Sequence, residues 1–257
     1  MTARFSTGAR DFLNKRGGID DMLMNGWIEI YTGSQPATAD AAVTGTLLCT
    51  ISSASGAITK EVLSTGSVTL NTGAAGSVNT LTVNSVEIMG AAVNFNTSLT
   101  QTAADVAAQI NRYKSNPDYT ATSSGAVVTI IARPGTGTAP NTFVVASTVT
   151  TITKTDANMA GGVASVNGLK FDTSASGVMN KLSTQTWSGV NAATGTAGYF
   201  RQYGSVADAG GAATTNLELR IDGAIATSGA EMNLNSTAFT SGATTTLSSW
   251  SMTVPAA

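Results

Sequence analysis

The sequence has no histidine, and Cys49 is its single cysteine among 257 residues. Without histidine the chain lacks the commonest general base, the usual partner of serine and cysteine nucleophiles, and the commonest metal ligand. One cysteine forms neither an internal disulfide nor a thiolate zinc site. Because Cys49 lies in the apolar run 47–51, we expect a small buried side chain. These absences predict a protein with no catalytic residue, no cofactor and no metal site.

Charged residues are also scarce, at 11% of the chain, and the net charge is −2. No cationic run is longer than Lys15–Arg16, which argues against nucleic-acid binding. No apolar run is long enough for a membrane helix, and the N-terminus shows no secretory signal, so we expect synthesis in a reducing cytoplasm. A surface so poor in charge gains little solubility from charge repulsion. We therefore expect a partner to cover much of it.

The residues that replace the missing charges are mainly Thr, Ser, Ala, Gly and Asn, a mixture typical of short strands and tight turns. Apolar spacing over 5–24 predicts an N-terminal helix, capped by Ser6 or Thr7 and interrupted at Gly17-Gly18. Strands are predicted at 27–31, 47–51 and 58–63. After residue 164, alternating or aromatic-bounded segments again predict short strands, the last at 247–254, as in a sandwich or jelly roll.

Residues 64–163 have a different pattern. The segments 80–83 and 86–89 flank Asn84-Ser85, which predicts a two-residue hairpin with Val83 opposite Val86. A helix follows, with a capping box at 98–101, an apolar stripe that ends at Tyr113, and a stop at Asn116-Pro117. Strands are predicted at 119–122, 126–132, 143–147 and 149–153, and 159–162 is interpreted as a linker. The pattern indicates a small α+β module whose helix lies on one sheet face.

Residues 1–63 contain too few strands for a domain of their own, so we expect them to join 164–257. The predicted fold class is therefore mainly β: an antiparallel β-sandwich or jelly-roll-like domain with an N-terminal helix. A ββαββ module inserted at 64–163 interrupts this domain.

A candidate contact surface lies in and beside the N-terminal helix, whose cations suggest either a solvated helix face or a docking arm for an acidic partner surface. Tryptophans in the outer domain indicate either an interface anchor or core packing, and core packing is favoured because each lies in or beside a strand-like run. The candidate interface residues are Arg4, Arg10, Lys15, Arg16, Trp27 and Tyr31.

Two stretches of the outer domain resemble a known family. The first reads IEIYTGSQPATADAA at 28–42 and GTLLC at 45–49. The second reads TWSG at 186–189, TGTA at 194–197, YFR at 199–201, MNLN at 232–235 and MTVP at 252–255. Together they are similar to small virion proteins encoded among the head and tail genes of tailed bacteriophages. The insertion resembles a module of phage tail and fibre proteins, through 80–90 and TQTAADVA at 100–107.

The resemblance implies a non-catalytic virion component, assembled in the bacterial host cytoplasm, and supplies no active-site residues. The leading expectation is a capsid decoration or cement protein. Its partner is then the major capsid protein, its inserted module projects outward, and it forms dimers or trimers at symmetry axes. No nucleic-acid or membrane partner is expected.

Two other functions stay open at this point. The first is a neck, collar or tail-surface protein that binds a receptor or glycan through exposed tyrosines, although the same residues would also suit strand or helix cores. The second is an enzyme whose paired carboxylates are brought together only by folding. The candidate tyrosines are Tyr113, Tyr119, Tyr199 and Tyr203.

Overall fold

The computed structural model describes residues 3–253. In chain order the elements are β1 (Arg4–Phe5), α1 (Thr7–Lys15), α2 (Ile19–Leu23), β2 (Trp27–Thr32), β3 (Leu47–Ser53), β4 (Thr65–Thr72), β5 (Ser77–Val83) and β6 (Val86–Glu87). They continue with β7 (Val93–Asn94), α3 (Leu99–Arg112), β8 (Tyr119–Ser124), β9 (Val127–Ala132), β10 (Val145–Thr150) and β11 (Thr153–Ala160). The last are β12 (Val178–Asn180), β13 (Trp187–Val190), β14 (Gly195–Tyr203), β15 (Arg220–Ala226), β16 (Met232–Asn233), β17 (Ala238–Phe239), β18 (Thr244–Leu247) and β19 (Ser251–Thr253).

The described residues are mainly β, with 42% in strands and 11% in helices, as predicted from the sequence. They form two compact units: an outer unit of residues 3–61 and 165–253, and an inserted unit of residues 62–164. The sequence-based boundaries, 63/64 and 163/164, lie within two residues of this division.

The outer unit is built on one nine-stranded sheet with the strand order β1-β15-β14-β2-β3-β13-β18. β16 pairs with β15, β17 pairs with β14, and β12 and β19 form a separate two-stranded ribbon. All pairs except β15–β16 are antiparallel. β2 and β3, which precede the insertion, lie between β14 and β13, which follow it, so neither flank of the insertion completes the sheet alone.

One face of the sheet forms the core of the outer unit. Ile28 and Ile30 of β2, Phe200 of β14 and Ile221 of β15 pack there against Phe12 of α1. Cys49 is also completely buried on β3, as predicted, and burial raises the pKa of its thiol to about 11. The thiol is therefore kept in its protonated, unreactive form at neutral pH.

Gln202 is the exception in this core. It lies directly between Ile28 and Ile221 on neighbouring strands and is 1% exposed. Neither its amide oxygen nor its amide nitrogen has a hydrogen-bond partner within residues 3–253. A buried amide without partners destabilises the folded state because it has lost its hydrogen bonds to water.

We expect Gln202→Leu to raise the free energy of unfolding by about 1–2 kcal/mol, since it removes this desolvation penalty. Urea denaturation followed by tryptophan fluorescence measures the change. Gln185→Leu is the matched control: the Gln185 amide accepts from the Trp187 indole N–H at 2.8 Å and donates to the Gly168 carbonyl at 2.9 Å. Leucine there should destabilise. A loss of stability in both variants would contradict the interpretation of Gln202.

The inserted unit consists of two four-stranded sheets and α3. One sheet has the order β10-β5-β6, with β7 paired to β5, and the other has the order β11-β4-β9-β8. The apolar core of this unit includes Val68, Leu81, Val106 and Ile130, which come from both sheets and the helix. β4, whose Val68 and Leu70 point into the core, was missed in the sequence because its short alternation resembles a polar Thr/Ser segment.

The predicted hairpin is confirmed. Val83 pairs with Val86, and the Ile88 amide donates to the Leu81 carbonyl at 2.9 Å. Asn84 and Ser85 have φ of 48° and 67°, the left-handed conformation that both central residues of a type I′ turn require.

α3 is also confirmed, with two corrections. Ser98 caps it by accepting from the Gln101 amide at 3.1 Å, but the Ser98 amide donates to the Asn96 carbonyl, so the capping box is only half formed. The helix ends at Arg112, before the predicted stop at Asn116-Pro117. Tyr113, the last residue of the predicted apolar stripe, is instead 40% exposed.

Two further predictions are wrong. The segment 58–63 forms isolated bridges and no strand. It pairs with residues 163, 166 and 206 through one bridge each, which is too few for a ladder. Residues 159–162 are not simply a linker: Met159 lies in β11 and is 1% exposed, because its side chain fills the core of the inserted unit.

Candidate functional site

The second face of the outer sheet carries polar and aromatic side chains, and we call it the polar-aromatic face. Trp27 and Tyr203 are directly opposite on β2 and β14 and stack with ring centroids 4.8 Å apart. Tyr31 and Tyr199 are opposite in the same way and stack at 5.2 Å. Such cross-strand aromatic pairs stabilise a sheet beyond their buried area.

Between the two aromatic rows lies a row of alternating charge. Arg4, Asp222, Arg201 and Glu29 occupy directly opposite positions on β1, β15, β14 and β2. The Arg201 guanidinium donates to both carboxylate oxygens of Asp222, at 2.6 and 2.7 Å, and both side chains are completely buried. Burial raises the pKa of Asp222, and the hydrogen bonds and charge of Arg201 act in the opposite direction. The two-pronged pairing offsets the loss of hydration.

Glu29 ends this row on β2. It accepts hydrogen bonds from the Trp27 indole at 3.1 Å and from the Tyr31 hydroxyl. Burial, followed by the hydrogen bond and charge of Glu29, raises the pKa of Tyr31, and burial together with the same carboxylate raises that of Tyr203. Both phenols therefore stay protonated, and the Tyr31 hydroxyl donates its proton to Glu29.

A loop of residues 33–46, which we call the strap, covers the polar-aromatic face. The Tyr199 hydroxyl donates to the Thr44 carbonyl at 2.6 Å and accepts from the Thr44 amide at 2.8 Å. Arg201 donates to the Ala41 carbonyl at 3.0 Å. Side chains of the sheet thus satisfy the backbone of the strap, which holds an otherwise irregular loop in one conformation.

A second buried ion pair holds the loop of residues 204–219, which joins β14 to β15, on this face. Arg220 donates to both carboxylate oxygens of Asp208, at 2.6 and 2.8 Å, and to the Gly211 carbonyl at 2.8 Å. Lys60 donates to the Asp208 carbonyl at 2.6 Å and lies 4.5 Å from the centre of the Trp27 ring.

The strap and the N-terminal arm enclose a cleft of about 350 Å³, which we call the basic cleft. Arg4 and Arg10 supply its two cations, and both are exposed. The remaining lining comes from Phe5 and from strap residues 37–40, among them Thr38 and Asp40. The cleft therefore contains two positive charges and one negative charge.

The first wall of the basic cleft is fixed by Ser6, which is completely buried between β1 and α1. Its hydroxyl caps α1 by accepting from the Ala9 amide at 3.1 Å and donates to the Glu218 carbonyl at 2.8 Å. Its backbone amide donates to the Arg220 carbonyl at 3.0 Å. One residue thus starts the helix and attaches it to the sheet.

The second wall is fixed by Asp40, which joins the strap to the start of α1. The amide and the hydroxyl of Thr7 each donate to one oxygen of this carboxylate, both at 2.8 Å. Arg10 donates to the same Thr7 hydroxyl at 3.0 Å, and Arg4 donates to the Pro36 carbonyl. Both oxygens of the Asp40 carboxylate therefore accept hydrogen bonds from Thr7.

The structure brings two of the six predicted interface residues together in this cleft, Arg4 and Arg10. Lys15 lies in the last turn of α1 and is exposed, and Arg16 follows it and is half-buried, so neither lines the cleft. The prediction of Trp27 and Tyr31 as contact residues is wrong: they are 1% and 5% exposed, because each stacks on a tyrosine of β14 beneath the covering loops. For Trp27, the core interpretation holds.

The strap residues of the cleft were missed in the sequence. Their segment, 37–42, is a polar, alanine-rich loop, and the resemblance that covers it supplied no contact residue. The carboxylate of Asp40 in a loop of this kind was the one available signal, and its partner Thr7 is 33 residues away.

The tyrosines proposed for glycan stacking are mostly buried. Tyr119, Tyr199 and Tyr203 are at most 3% exposed, because they pack in strands of the two units. Tyr113 is the exposed member, and its ring lies against Gly90.

Within residues 3–253, no group of three or more acidic, cysteine or histidine side chains is arranged to hold a metal ion. No helix in the same range is long and apolar enough to cross a membrane.

No protein-family model, no curated protein and no solved structure matches the chain.

Proposed function

We propose that this chain is a non-catalytic structural component of a tailed-phage virion, and specifically a capsid decoration or cement protein with a projecting module. The partner is the major capsid protein, and the chain acts as a dimer or trimer in the assembled virion. The outer unit attaches, and the inserted unit is the projecting module.

The observation that carries the proposal is where the resembling segments lie. Residues 28–49 comprise most of β2, the strap and the start of β3, and residues 186–201 comprise β13 and most of β14. These segments are far apart in the sequence but form four neighbouring strands in the order β14-β2-β3-β13. Val254 and Pro255, at the end of the second stretch, lie outside the described residues. Most of the resemblance to phage virion proteins therefore falls on one continuous part of the sheet and its covering loop. The remaining segments lie elsewhere: 232–235 includes β16, beside β15, and residues 252–253 belong to β19 of the separate ribbon.

Two further observations support the proposal. The chain has 11% charged residues and no histidine, and its single cysteine is buried with a raised pKa. The inserted unit has its own core, formed by residues of that unit alone, so it can be added to the outer unit without disturbing the other core.

The alternative is a neck, collar or tail-surface protein with a receptor- or glycan-binding role. Of the four tyrosines that were candidates for glycan contact, Tyr113 is exposed and the other three are buried, so Tyr113 alone of the four supports this alternative.

Immunogold electron microscopy of phage particles tests the proposal. An antibody raised against the purified inserted unit, residues 62–164, should label the heads of intact particles at many sites per head. Antibody absorbed with the same unit provides the control. Label on the tail or collar alone would overturn the capsid assignment in favour of the alternative, and purified particles without this chain by mass spectrometry would overturn the virion role altogether.

A further inference from the structure

The basic cleft has the composition of a binding site for a flexible anionic group. Arg4 and Arg10 come from different elements, β1 and α1, and both guanidinium groups reach the same open cleft of about 350 Å³. A guanidinium has five N–H donors, and the bonds to the Pro36 carbonyl and the Thr7 hydroxyl use one donor of each arginine. Donors therefore remain for a ligand.

The rest of the cleft is suited to a side chain with a short apolar stem. Phe5, Ala37 and Ala39 give the cleft apolar contact area, and the Thr38 hydroxyl adds a hydrogen-bonding group. A glutamate side chain matches this arrangement, since its methylene groups contact apolar surface while its carboxylate accepts from the arginines.

The charges of the cleft favour a carboxylate over a nucleic acid. Polyphosphate binding requires many clustered cations, whereas this cleft has two arginines beside the Asp40 carboxylate. The whole chain has 13 cationic residues and a net charge of −2. With Asp40 included, the cleft has a net charge of +1, which a single carboxylate neutralises without further cations.

We infer that the basic cleft binds glutamate side chains of an acidic segment in the protein partner of this chain. The identity of that partner rests on the proposed virion function, whereas the chemistry of the cleft does not. The cleft is held by Ser6, Thr7 and Asp40 within the fold of the outer unit, so it is formed before the partner arrives.

Fluorescence anisotropy of fluorescein-labelled hexaglutamate, titrated with the full chain at low ionic strength, tests this inference. We expect saturable binding that weakens as salt is added, because exposed charges are screened. Arg10→Gln should raise the dissociation constant about three- to fivefold, the effect of losing one exposed ion pair. Because Arg10 is exposed, the loss of its side-chain bond to Thr7 should leave the thermal unfolding temperature of this variant nearly unchanged.

The matched control is Arg112→Gln, which makes the same change of charge on an exposed helix position of the inserted unit. It should leave the dissociation constant within about twofold, because Arg112 is not among the residues that line the cleft. Equal weakening by both variants, or no binding of hexaglutamate to the wild-type chain, would overturn the assignment of the cleft.

Competition separates the possible anions. Unlabelled hexaglutamate should displace the labelled peptide at a lower concentration than a seven-nucleotide oligothymidine of similar total charge, and inorganic phosphate should displace it weakly. Stronger displacement by the oligonucleotide would overturn the carboxylate assignment in favour of nucleic acid. A chain that labels phage heads but does not bind the peptide would overturn the cleft assignment and leave the virion role standing. Peptide binding without label on the particles would support the cleft assignment and count against the virion role.

Discussion

Asp222→Ala is expected to lower the free energy of unfolding of the outer unit by about 3–5 kcal/mol, the cost of leaving one charge of a buried pair without its partner. Arg201 and Asp222 are both completely buried and joined by two hydrogen bonds. Removal of the carboxylate strands the Arg201 guanidinium within the polar-aromatic face, where water does not replace the lost bonds.

Guanidinium denaturation monitored by tryptophan fluorescence measures this loss selectively. All three tryptophans, Trp27, Trp187 and Trp250, lie in the outer unit, so their emission does not report on unfolding of the inserted unit. The three rings lie in stacked or tilted contacts with other aromatic rings, which unfolding disrupts.

Two controls separate the buried charge from a general effect of substitution. The double variant Arg201→Met/Asp222→Leu removes both charges and should be more stable than Asp222→Ala, since an apolar pair of similar volume replaces a buried ion pair at little cost. Asp11→Ala removes a half-buried carboxylate of the same unit, which accepts one hydrogen bond from Asn216 at 3.1 Å, and should change stability by no more than about 0.5 kcal/mol. A loss below about 1 kcal/mol for Asp222→Ala would show that the guanidinium is not stranded.

Gly198→Ala is expected to destabilise the outer unit by about 3 kcal/mol, because a methyl group at this position has no space. A Cβ there would lie 1.8 Å from the carbonyl oxygen of Gly33. Gly198 sits where the pairing of β14 with β2 shifts register, between Ala197 and Tyr199. The atom it meets is backbone, so relief requires the first residue of the strap to move away from β14, next to the stacked Tyr31 and Tyr199 rings.

Gly33→Ala provides the control at the same point of contact. Gly33 has φ of +81°, and a Cβ there would meet nothing within 4 Å. Its substitution should cost only the strain of the left-handed conformation, about 1 kcal/mol. The same tryptophan-monitored denaturation compares the two variants. Equal losses would contradict the interpretation that close approach to the Gly33 carbonyl requires glycine at 198.

Local features of this fold were predictable from the sequence because their causes lie within a few residues. The type I′ turn at Asn84-Ser85 and the cap of α3 by Ser98 depend on backbone conformation and on hydrogen bonds three residues apart. Cys49 was assigned to the core from its apolar neighbours. The mainly antiparallel β class followed from the same short-range patterns.

The residues of the basic cleft were only partly predictable from the sequence. Cationic residues near the N-terminus indicated a contact surface, and Arg4 and Arg10 do line the basic cleft. Trp27 and Tyr31 have the same aromatic character as interface residues, yet both are buried. Aromatic type alone does not distinguish a covered sheet face from an exposed one. The strap that covers this face bonds to residues far away in the sequence, and its polar, alanine-rich composition does not indicate that it covers anything.

The sequence alone determined the absence of histidine, the scarcity of charge and the change of pattern near residues 64 and 163. Composition and local periodicity do not depend on which distant segments pack together. Only the tertiary structure decided which faces are covered. It placed Asp222 beside Arg201, 21 residues apart, and Asp40 beside Thr7, 33 residues apart. Those contacts bury one set of charges and leave Arg4 and Arg10 at the surface, because burial depends on which distant segments pack together and the sequence pattern does not carry that information.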